Sequence, residues 1–286
     1  IANLDMRIQR VDTRDFPNVA VFVTLKNRLG DPVRGLQRSD FVLNENDRRM
    51  GGIRVDNTRP YNRRTNLVIT KENTDFFQEG YTEFLPVALQ GLLGPLRTAD
   101  RLRVVRVGEQ VRQVYEGLER RQIRETLVSG ELTPDPNLGK GLYESLTLLV
   151  SELGPRSVVL IVSGKDYPAA FRQYSLQKIA QYARANEIQI DVISFEGDPD
   201  PETRERLKQS YQSLATESGG VYYRGCDETA LAGAYERSRA RKDRRYVLTY
   251  SSALDRDLSG RYVDLSVEAR YLGTTGLADA GFFIPE

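Results

Sequence analysis

The sequence contains no histidine and a single cysteine, Cys226, among its 286 residues. Without histidine the chain lacks the usual general base, the commonest zinc ligand and every Ser-His-Asp or Cys-His catalytic arrangement. One cysteine can form neither an intrachain disulfide nor a thiolate metal cluster. We interpret Cys226 as a packed side chain rather than a reactive thiol. These absences argue against an enzyme.

An excess of one charge and long apolar runs are also missing. The 41 basic and 40 acidic residues leave a formal net charge of +1, so no global field favours nucleic acid or an anionic membrane. The arginine-rich run 237–245 has no interleaved aromatic residue to stack on bases, which is typical of a solvated helix end. No apolar run approaches the roughly 20 residues of a membrane span. We therefore predict no nucleic-acid partner and no transmembrane segment.

Two kinds of hydrophobic periodicity divide the chain. Residues 1–62 and 245–286 alternate apolar and polar positions, and this period of two indicates strands. Residues 63–244 instead alternate short apolar strands with amphipathic helices, which is typical of a parallel sheet covered on both faces. Because three short strands bury little surface alone, we predict one β-sandwich built by both terminal segments. An α/β domain with a doubly wound, mostly parallel sheet is inserted in it; two separate β appendages are the alternative.

The apolar positions of the central domain also predict its individual elements. We predict strands at 67–69, 102–107, 111–115, 158–162, 188–195 and 221–223. We predict helices at 84–93, 142–153, 176–183, 207–215 and 228–241. The strands at 102–107 and 111–115 form a hairpin around Gly108.

Three segments of the central domain join an apolar strand or a helix to a polar loop. They are residues 66–74, 139–146 and 158–166. In order and spacing they resemble the three loops of a von Willebrand factor type A (VWA) domain. In that family the loops carry Asp-x-Ser-x-Ser, a Thr and an Asp-Gly around one Mg²⁺ at the tip of the parallel sheet. The Gly-Gly turn at 219–220, before the last strand, is similar to the family pattern too, and the resemblance covers about residues 64–243.

The positions that match the family's metal ligands carry other residues here. The two Asp positions correspond to Thr70 and Ser163, the two Ser positions to Glu72 and Thr74, and the Thr position to Lys140. A hard divalent cation needs several oxygen ligands, and carboxylates dominate its binding. An ammonium a few ångströms away would repel the cation by several kcal/mol. We therefore predict that the chain holds no metal and no other cofactor.

The two acidic residues of the family's metal site are absent here, and a basic residue, Lys140, is present at a third ligand position. We hypothesise that the Lys140 ammonium replaces the lost ion and is held by Glu72 or Asp166, the two carboxylates near the tip. The alternative is that Lys140 is an ordinary surface lysine. A metal-dependent adhesin, in which Glu72 and Asp166 bind Mg²⁺ or Ca²⁺ in a shifted position, is the alternative function.

The resemblance implies a non-catalytic protein-interaction module, because VWA domains recognise other proteins through the carboxyl edge of the sheet. Open α/β sheets in general bind ligands at that edge. The residues that we expect to be exposed there are Lys71, Glu72, Asn73, Phe76, Phe77, Lys140, Lys165, Asp166 and Tyr167. Phe76, Phe77 and Tyr167 would supply the aromatic contact area of an interface; the alternative is that they fold back onto the helix behind them.

A motif before the central domain points to a location. Residues 30–41 contain Gly-Asp-Pro-Val-Arg-Gly-Leu followed by Asp-Phe. This resembles the Gly-x-Pro-Val-x-Gly-Leu…Asp-Phe segment that precedes the domain in VWA-related proteins of bacterial envelopes. The resemblance implies an extracytoplasmic protein, in the periplasm or at the cell surface. Its partner would be another protein or a multi-subunit envelope or appendage assembly, for which edge strands of the sandwich could provide contacts.

Overall fold

The computed structural model describes residues 4–57, 64–77, 94–108, 110–128, 130, 132–225, 227, 229–241 and 244–285. The helix predicted at 84–93 and Cys226 lie outside these residues. The chain divides into two compact units, one made of residues 1–60 and 243–286 and the other of residues 61–242. No helix in the described part of the chain combines the length and the apolar character needed to cross a membrane.

The elements follow one another in three groups. The first group contains β1 (Asp5–Asp12), β2 (Asn18–Lys26), β3 (Phe41–Glu45), β4 (Arg48–Arg49) and β5 (Arg54–Asn57). The second contains β6 (Asn66–Glu72), β7 (Arg101–Val107), β8 (Val111–Glu116), α1 (Arg120–Val128), α2 (Leu138–Val150), β9 (Arg156–Val162), α3 (Leu176–Ala185), β10 (Gln189–Ser194), α4 (Pro201–Ser218), β11 (Tyr222–Arg224) and α5 (Ala230–Ala240). The third contains β12 (Tyr246–Ser251), β13 (Tyr262–Tyr271) and β14 (Thr274–Phe283).

The first and third groups form a sandwich of two four-stranded sheets. Their strand orders are β1-β2-β12-β5 and β14-β13-β3-β4, and the neighbouring strands pair antiparallel. These are the orders A-B-E-D and G-F-C-C′ of an immunoglobulin-type sandwich. The chain leaves this sandwich after β5 and returns at β12, so the α/β unit is inserted between strands D and E.

The core of the sandwich explains the period of two in its sequence. In β13, Val263, Leu265, Val267 and Ala269 are at most 2% exposed, and they join one hydrophobic cluster with residues of β2, β3 and β12. The intervening positions of β13 are exposed or half-buried. One face of each sheet thus packs on the other sheet and the opposite face meets solvent, which is the arrangement that alternating sequences favour.

The second group forms a doubly wound α/β unit. Its six-stranded sheet has the order β11-β10-β9-β6-β7-β8, in which β8 alone runs antiparallel to its neighbour. This corresponds to the strand order 3-2-1-4-5-6 of Rossmann-like folds. The predicted fold class is confirmed. The order reverses between β6 and β9, and such a switch point leaves a crevice at the carboxyl ends of these two strands.

Helices cover both faces of this sheet. The apolar sides of α2, α3 and α4 share one hydrophobic cluster with one face of the sheet. Those of α1 and α5, together with Phe76 and Phe77, pack on the other face. All seven residues of β6 and of β9 are buried, as expected for central parallel strands. The carboxyl ends of β6, β9 and β10 therefore meet at one edge, which we call the carboxyl edge.

Candidate functional site

The predicted site residues do converge on the switch point between β6 and β9. Thr70 and Glu72 lie at the carboxyl end of β6. Ser163 follows β9 directly, and Lys140 lies in the first turn of α2. Residues two apart on a strand share a face. Thr70 and Glu72 consequently face the α2 side of the sheet, whereas Lys71 faces the opposite side.

The carboxylate of Glu72 occupies the crevice. The residue is fully buried. Its Oε1 accepts hydrogen bonds from the hydroxyl of Thr74 at 2.6 Å and the hydroxyl of Tyr167 at 2.9 Å. Its Oε2 accepts one from the backbone N–H of Ser163 at 3.0 Å. One carboxylate thus ties the loop after β6 to the loop after β9, the two loops that surround a metal ion in the VWA pattern.

The two positions of the missing acids are engaged in hydrogen bonds of their own. The hydroxyl of Thr70 lies 2.7 Å from the Ser145 hydroxyl, which in turn donates to the Gly141 carbonyl. Thr70 therefore acts as the donor and links β6 to α2. The Ser163 hydroxyl accepts from the N–H of Lys165 at 3.2 Å and lies 3.1 Å from the hydroxyl of Tyr167.

Tyr167 closes the crevice from outside. Its ring belongs to the cluster on the α2 side of the sheet, and its hydroxyl reaches Glu72 and Ser163 as described. Burial and the neighbouring Glu72 carboxylate both raise the pKa of Tyr167. The hydroxyl therefore stays protonated at neutral pH and serves as a donor to Glu72, not as a general base.

The hypothesis that Lys140 replaces the ion is wrong. Its ammonium lies 3.8 Å from the carboxylate of Glu144, one helical turn further along α2, and its side chain is 44% exposed. The carboxylate of Asp166 pairs with Arg206 instead. Lys140 and Glu144 are four residues apart on α2, so their side chains lie on the same face of the helix. This spacing favours an ion pair between them at the surface.

Lys71 supplies the buried ammonium at this edge. It is 2% exposed, its Nζ donates to the Glu72 carbonyl at 2.9 Å, and it lies 4.3 Å from the centre of the Phe77 ring. Burial lowers the pKa of Lys71 to about 8, against the partly compensating attraction of the Glu72 carboxylate, while Arg106 lowers it further. The sheet therefore separates a buried anion on one face from a buried cation on the other.

Several residues that we expected to be exposed are buried. They are Lys71, Glu72, Asn73, Phe76 and Phe77. The rings of Phe76 and Phe77 pack edge to face on each other and on Phe195, with centroids 5.3 to 5.9 Å apart. Phe76 and Phe77 are therefore not exposed interface residues, but they pack on the sheet and on Phe195 rather than on a helix behind them.

The exposed part of the carboxyl edge is charged. Asp166 and Arg206 are 50% and 58% exposed in their side chains, and Lys140 with Glu144 adds a second exposed pair. Beside them a cavity of about 280 Å³ opens between the β7–β8 turn and the segment 132–134. Its lining residues are Asn73, Arg106, Gly108, Gln110, Arg112, Leu132, Thr133 and Pro134.

The start of α2 offers no free N–H groups for an anion. The N–H of Gly139 donates to the Ala170 carbonyl at 2.6 Å, and that of Gly141 to the Asn137 carbonyl. The N–H of Lys140 donates to the Asn137 side chain. Within the described residues, no three His, Cys, Asp or Glu side chains are grouped as a bound metal ion would require.

Comparisons with known proteins find similarity only at the level of three-dimensional structure. No family model and no curated protein matches the chain. Among solved structures, a von Willebrand factor type A protein from Catenulispora acidiphila matches at 12% identity, over 97% of this chain and 72% of that one, with a TM-score of 0.45. The ArnB paralog VWA2 from Sulfolobus acidocaldarius matches at 13% identity, over 100% and 75%, with a TM-score of 0.42.

An aerotolerance-related membrane protein from Bacteroides fragilis NCTC 9343 matches at 14% identity, over 62% of this chain and 100% of that one, with a TM-score of 0.45. At these identities the similarity concerns the fold alone. The central unit is a VWA-like domain by its own strand order and by the order of its three loops.

Proposed function

We propose that this chain is a non-catalytic protein-interaction or assembly module that uses the carboxyl edge of its VWA-like unit without a metal ion. The observation that carries the proposal is the Glu72 carboxylate, which is fully buried and holds the loops after β6 and β9 together. Those hydrogen bonds connect the two loops, as a shared metal ion connects them in the family pattern. The loop conformation is therefore set by the chain itself.

A preorganised edge favours recognition of a partner surface, because little conformational entropy is lost on binding. The exposed groups available are charged: Lys140 with Glu144, and Asp166 with Arg206. Such pairs contribute hydrogen bonds and orientation at the rim of an interface. The adjoining cavity of about 280 Å³ has room for a side chain of the partner.

We further propose that the chain has no enzymatic activity. The sequence has no histidine, and each oxygen of the Glu72 carboxylate already accepts a hydrogen bond from the protein. Burial lowers the pKa of Lys71 to about 8, and a perturbed pKa can mark a functional group. The residue is 2% exposed and its Nζ lies against the Phe77 ring, where a substrate has no access.

The proposal places the chain outside the cytoplasm, as part of a bacterial envelope or appendage assembly. It rests on the motif at 30–41 and on the layout of a VWA-like unit flanked by strands. Fractionation of the native source with antibodies against this chain tests it. Recovery in the cytoplasmic fraction alone would contradict the proposed location.

The metal-free state leads to a first prediction. Saturating Mg²⁺ or Ca²⁺ should leave the melting temperature of the EDTA-treated protein unchanged, and calorimetric titration should give no heat beyond dilution. A shifted adhesion site would instead stabilise the protein by about 2.7 kcal/mol at a metal concentration 100 times Kd. Sodium chloride at equal ionic strength, tested in parallel, distinguishes general screening by salt from occupation of a site.

A second prediction concerns the binding edge. A photo-crosslinking amino acid placed at Lys140 or at Asp166 should capture a defined partner in the native source, equally well with and without EDTA. The control position is Arg121 in the first turn of α1, which is exposed and follows β8 at the opposite edge of the sheet. Equal capture from position 121, or capture that EDTA abolishes, would contradict the proposal.

A further inference from the structure

The immunoglobulin-type sandwich contains a groove of its own. It has a volume of about 530 Å³ and lies between the short helical turn Arg38–Asp40 and the connection from β4 to β5. Its lining residues are Gln37, Arg38, Ser39, Phe41, Arg49, Met50, Gly51 and Ile53. This size is within the range of ligand sites that hold several side chains.

One wall of the groove is the end of the motif at 30–41, and it is rigidly held. The hydroxyl of Tyr246 accepts from the N–H of Leu36 and donates to the carbonyl of Val33, both at 3.2 Å. Its ring packs on Phe41 with centroids 5.4 Å apart. At the turn itself, Asp40 Oδ2 accepts from the N–H of Gln37 at 2.7 Å. The motif therefore fixes the backbone that presents Arg38.

The other wall is equally tied to the sandwich. Arg49 of β4 pairs with Asn44 of β3, and the N–H of Met50 donates to the carbonyl of Leu43 at 2.8 Å. The chain then turns through Gly52 at φ +65° toward β5. Because φ is positive there, a glycine is favoured at this position. Both walls are thus present before any ligand binds.

The floor of the groove is apolar and its rim is positively charged. Phe41, Met50 and Ile53 are 3%, 8% and 6% exposed and belong to the sandwich core. Arg38 and Arg49 are exposed, and neither guanidinium forms an ion pair within the part of the chain that the structure describes. No acidic residue is among the lining residues.

We propose that this groove binds an extended acidic peptide segment of a partner protein. One apolar side chain of the segment contacts the floor, and an adjacent Asp or Glu is held by Arg38 and Arg49, whose guanidinium groups match a carboxylate bidentately. The peptide backbone runs beside β4, the last described strand of its sheet, because the edge of a sheet can accept an added strand.

Charge complementarity and the floor select this partner over the alternatives. A basic segment would meet Arg38 and Arg49, and no acidic side chain is among the lining residues. Single-stranded nucleic acid binds through bases stacked on exposed aromatic rings, and the ring in this groove, Phe41, is 3% exposed. The site lies in a different unit from the carboxyl edge, so the chain would contact partners through two separate surfaces.

The test is an array of short immobilised peptides in which the central residues are varied systematically, probed with the full chain. Wild-type protein should select peptides with Asp or Glu next to Leu, Ile, Val or Phe. In solution, the double variant R38E/R49E should bind the best such peptide at least about 30-fold more weakly. It should recover binding to the same peptide with Lys in place of the acid.

The control is R28E, which reverses the charge of an exposed arginine outside the groove and should change Kd less than about twofold. Circular dichroism verifies that each variant folds. Three results would overturn the proposal: selection of basic or uncharged peptides, equal loss with R28E, or no peptide bound with Kd below about 1 mM. Preferred binding of a single-stranded oligonucleotide would overturn it as well.

Discussion

Replacing Glu72 with alanine is expected to lower the free energy of unfolding of the α/β unit by about 3 to 5 kcal/mol. The variant loses a buried acceptor of three hydrogen bonds, from Thr74, Tyr167 and Ser163. Thr74 and Ser163 are fully buried, and each of their donors that is left unsatisfied costs about 1 to 3 kcal/mol. The deleted side chain also leaves a cavity. Urea unfolding followed by circular dichroism measures the change.

Two matched variants separate the causes. Glu72→Met keeps the volume and removes only the acceptors, so it should retain most of the loss. Glu72→Gln keeps one acceptor oxygen but turns an NH2 group toward a donor, and should lie between wild type and alanine. The chain has two units, so global unfolding does not report on the α/β unit alone. Hydrogen exchange at the amide of Ser163, which donates to Glu72 Oε2, measures the local stability of this bridge. Unchanged protection of that amide in Glu72→Ala would contradict the bridging role.

The fold of the chain was predictable because its strands carry distinct patterns. The continuous apolar run in β9 follows from burial of both faces of that strand, and the alternation in β13 follows from burial of one face only. Among the elements that the patterns did not predict individually, two show the physical reason. In α1 only Ile123 and Leu127 are buried, which leaves a weak helical stripe. In β14, glycine, alanine and threonine replace the bulky residues that mark a strand.

The sequence predicted which loops meet at the switch point between β6 and β9, but not the contacts that their side chains make there. Strand alternation already placed Glu72 on the same face of β6 as Thr70, and Lys71 on the opposite face. That alternation would have identified Glu72 and Lys71 as the two charged residues buried at the end of β6. The i,i+4 relation of Lys140 to Glu144 likewise indicated a surface pair. The role of Tyr167 could not be derived, because a loop residue reaches Glu72 only through the tertiary path of the chain after β9.

Phe76 and Phe77 show a related difficulty. Aromatic residues after a strand suit both an interface and a core, and the sequence favours neither. The partner that decides the outcome is Phe195, which follows a different strand, β10. Gly197 leaves room for the Phe76 ring, since a Cβ at that position would lie 2.4 Å from it. Burial here depends on contacts far apart in sequence.

The buried ammonium of Lys71 should make stability rise with pH in a range where most proteins show little change. The pKa of Lys71 is about 8 in the folded chain, against 10.5 for an ordinary lysine. Between these values the unfolded chain binds more protons than the folded one, so the free energy of unfolding increases with pH. The slope is about 1.4 kcal/mol per pH unit, which gives about 2 kcal/mol between pH 8 and 9.5.

The variant Lys71→Met isolates this contribution, because all other titrating groups are shared with the wild type. At pH 7 the variant should be at least as stable as the wild type, since it removes the cost of burying a charge and can place its thioether against the Phe77 ring where the ammonium lies in the wild type. Its advantage should shrink by about 2 kcal/mol from pH 8 to 9.5. Urea unfolding of both proteins across this range measures the difference. Tyrosines of the unfolded chain ionise only near pH 10.

Lys178→Met is the matched control, because Lys178 is exposed on α3 and its replacement should give a difference that does not vary with pH. A constant difference for Lys71→Met as well would show that the ammonium reaches solvent. A loss of about 3 kcal/mol or more at pH 7 would show that the charge is needed as a partner of Glu72. Either result would contradict the interpretation of Lys71 as a buried ammonium that lowers the stability of the folded chain. The expected result would leave Glu72 as the group that holds the two loops together. Burying the Lys71 ammonium would then lower the free energy of unfolding, because its contacts with Phe77 and the Glu72 carbonyl offset the loss of hydration only in part.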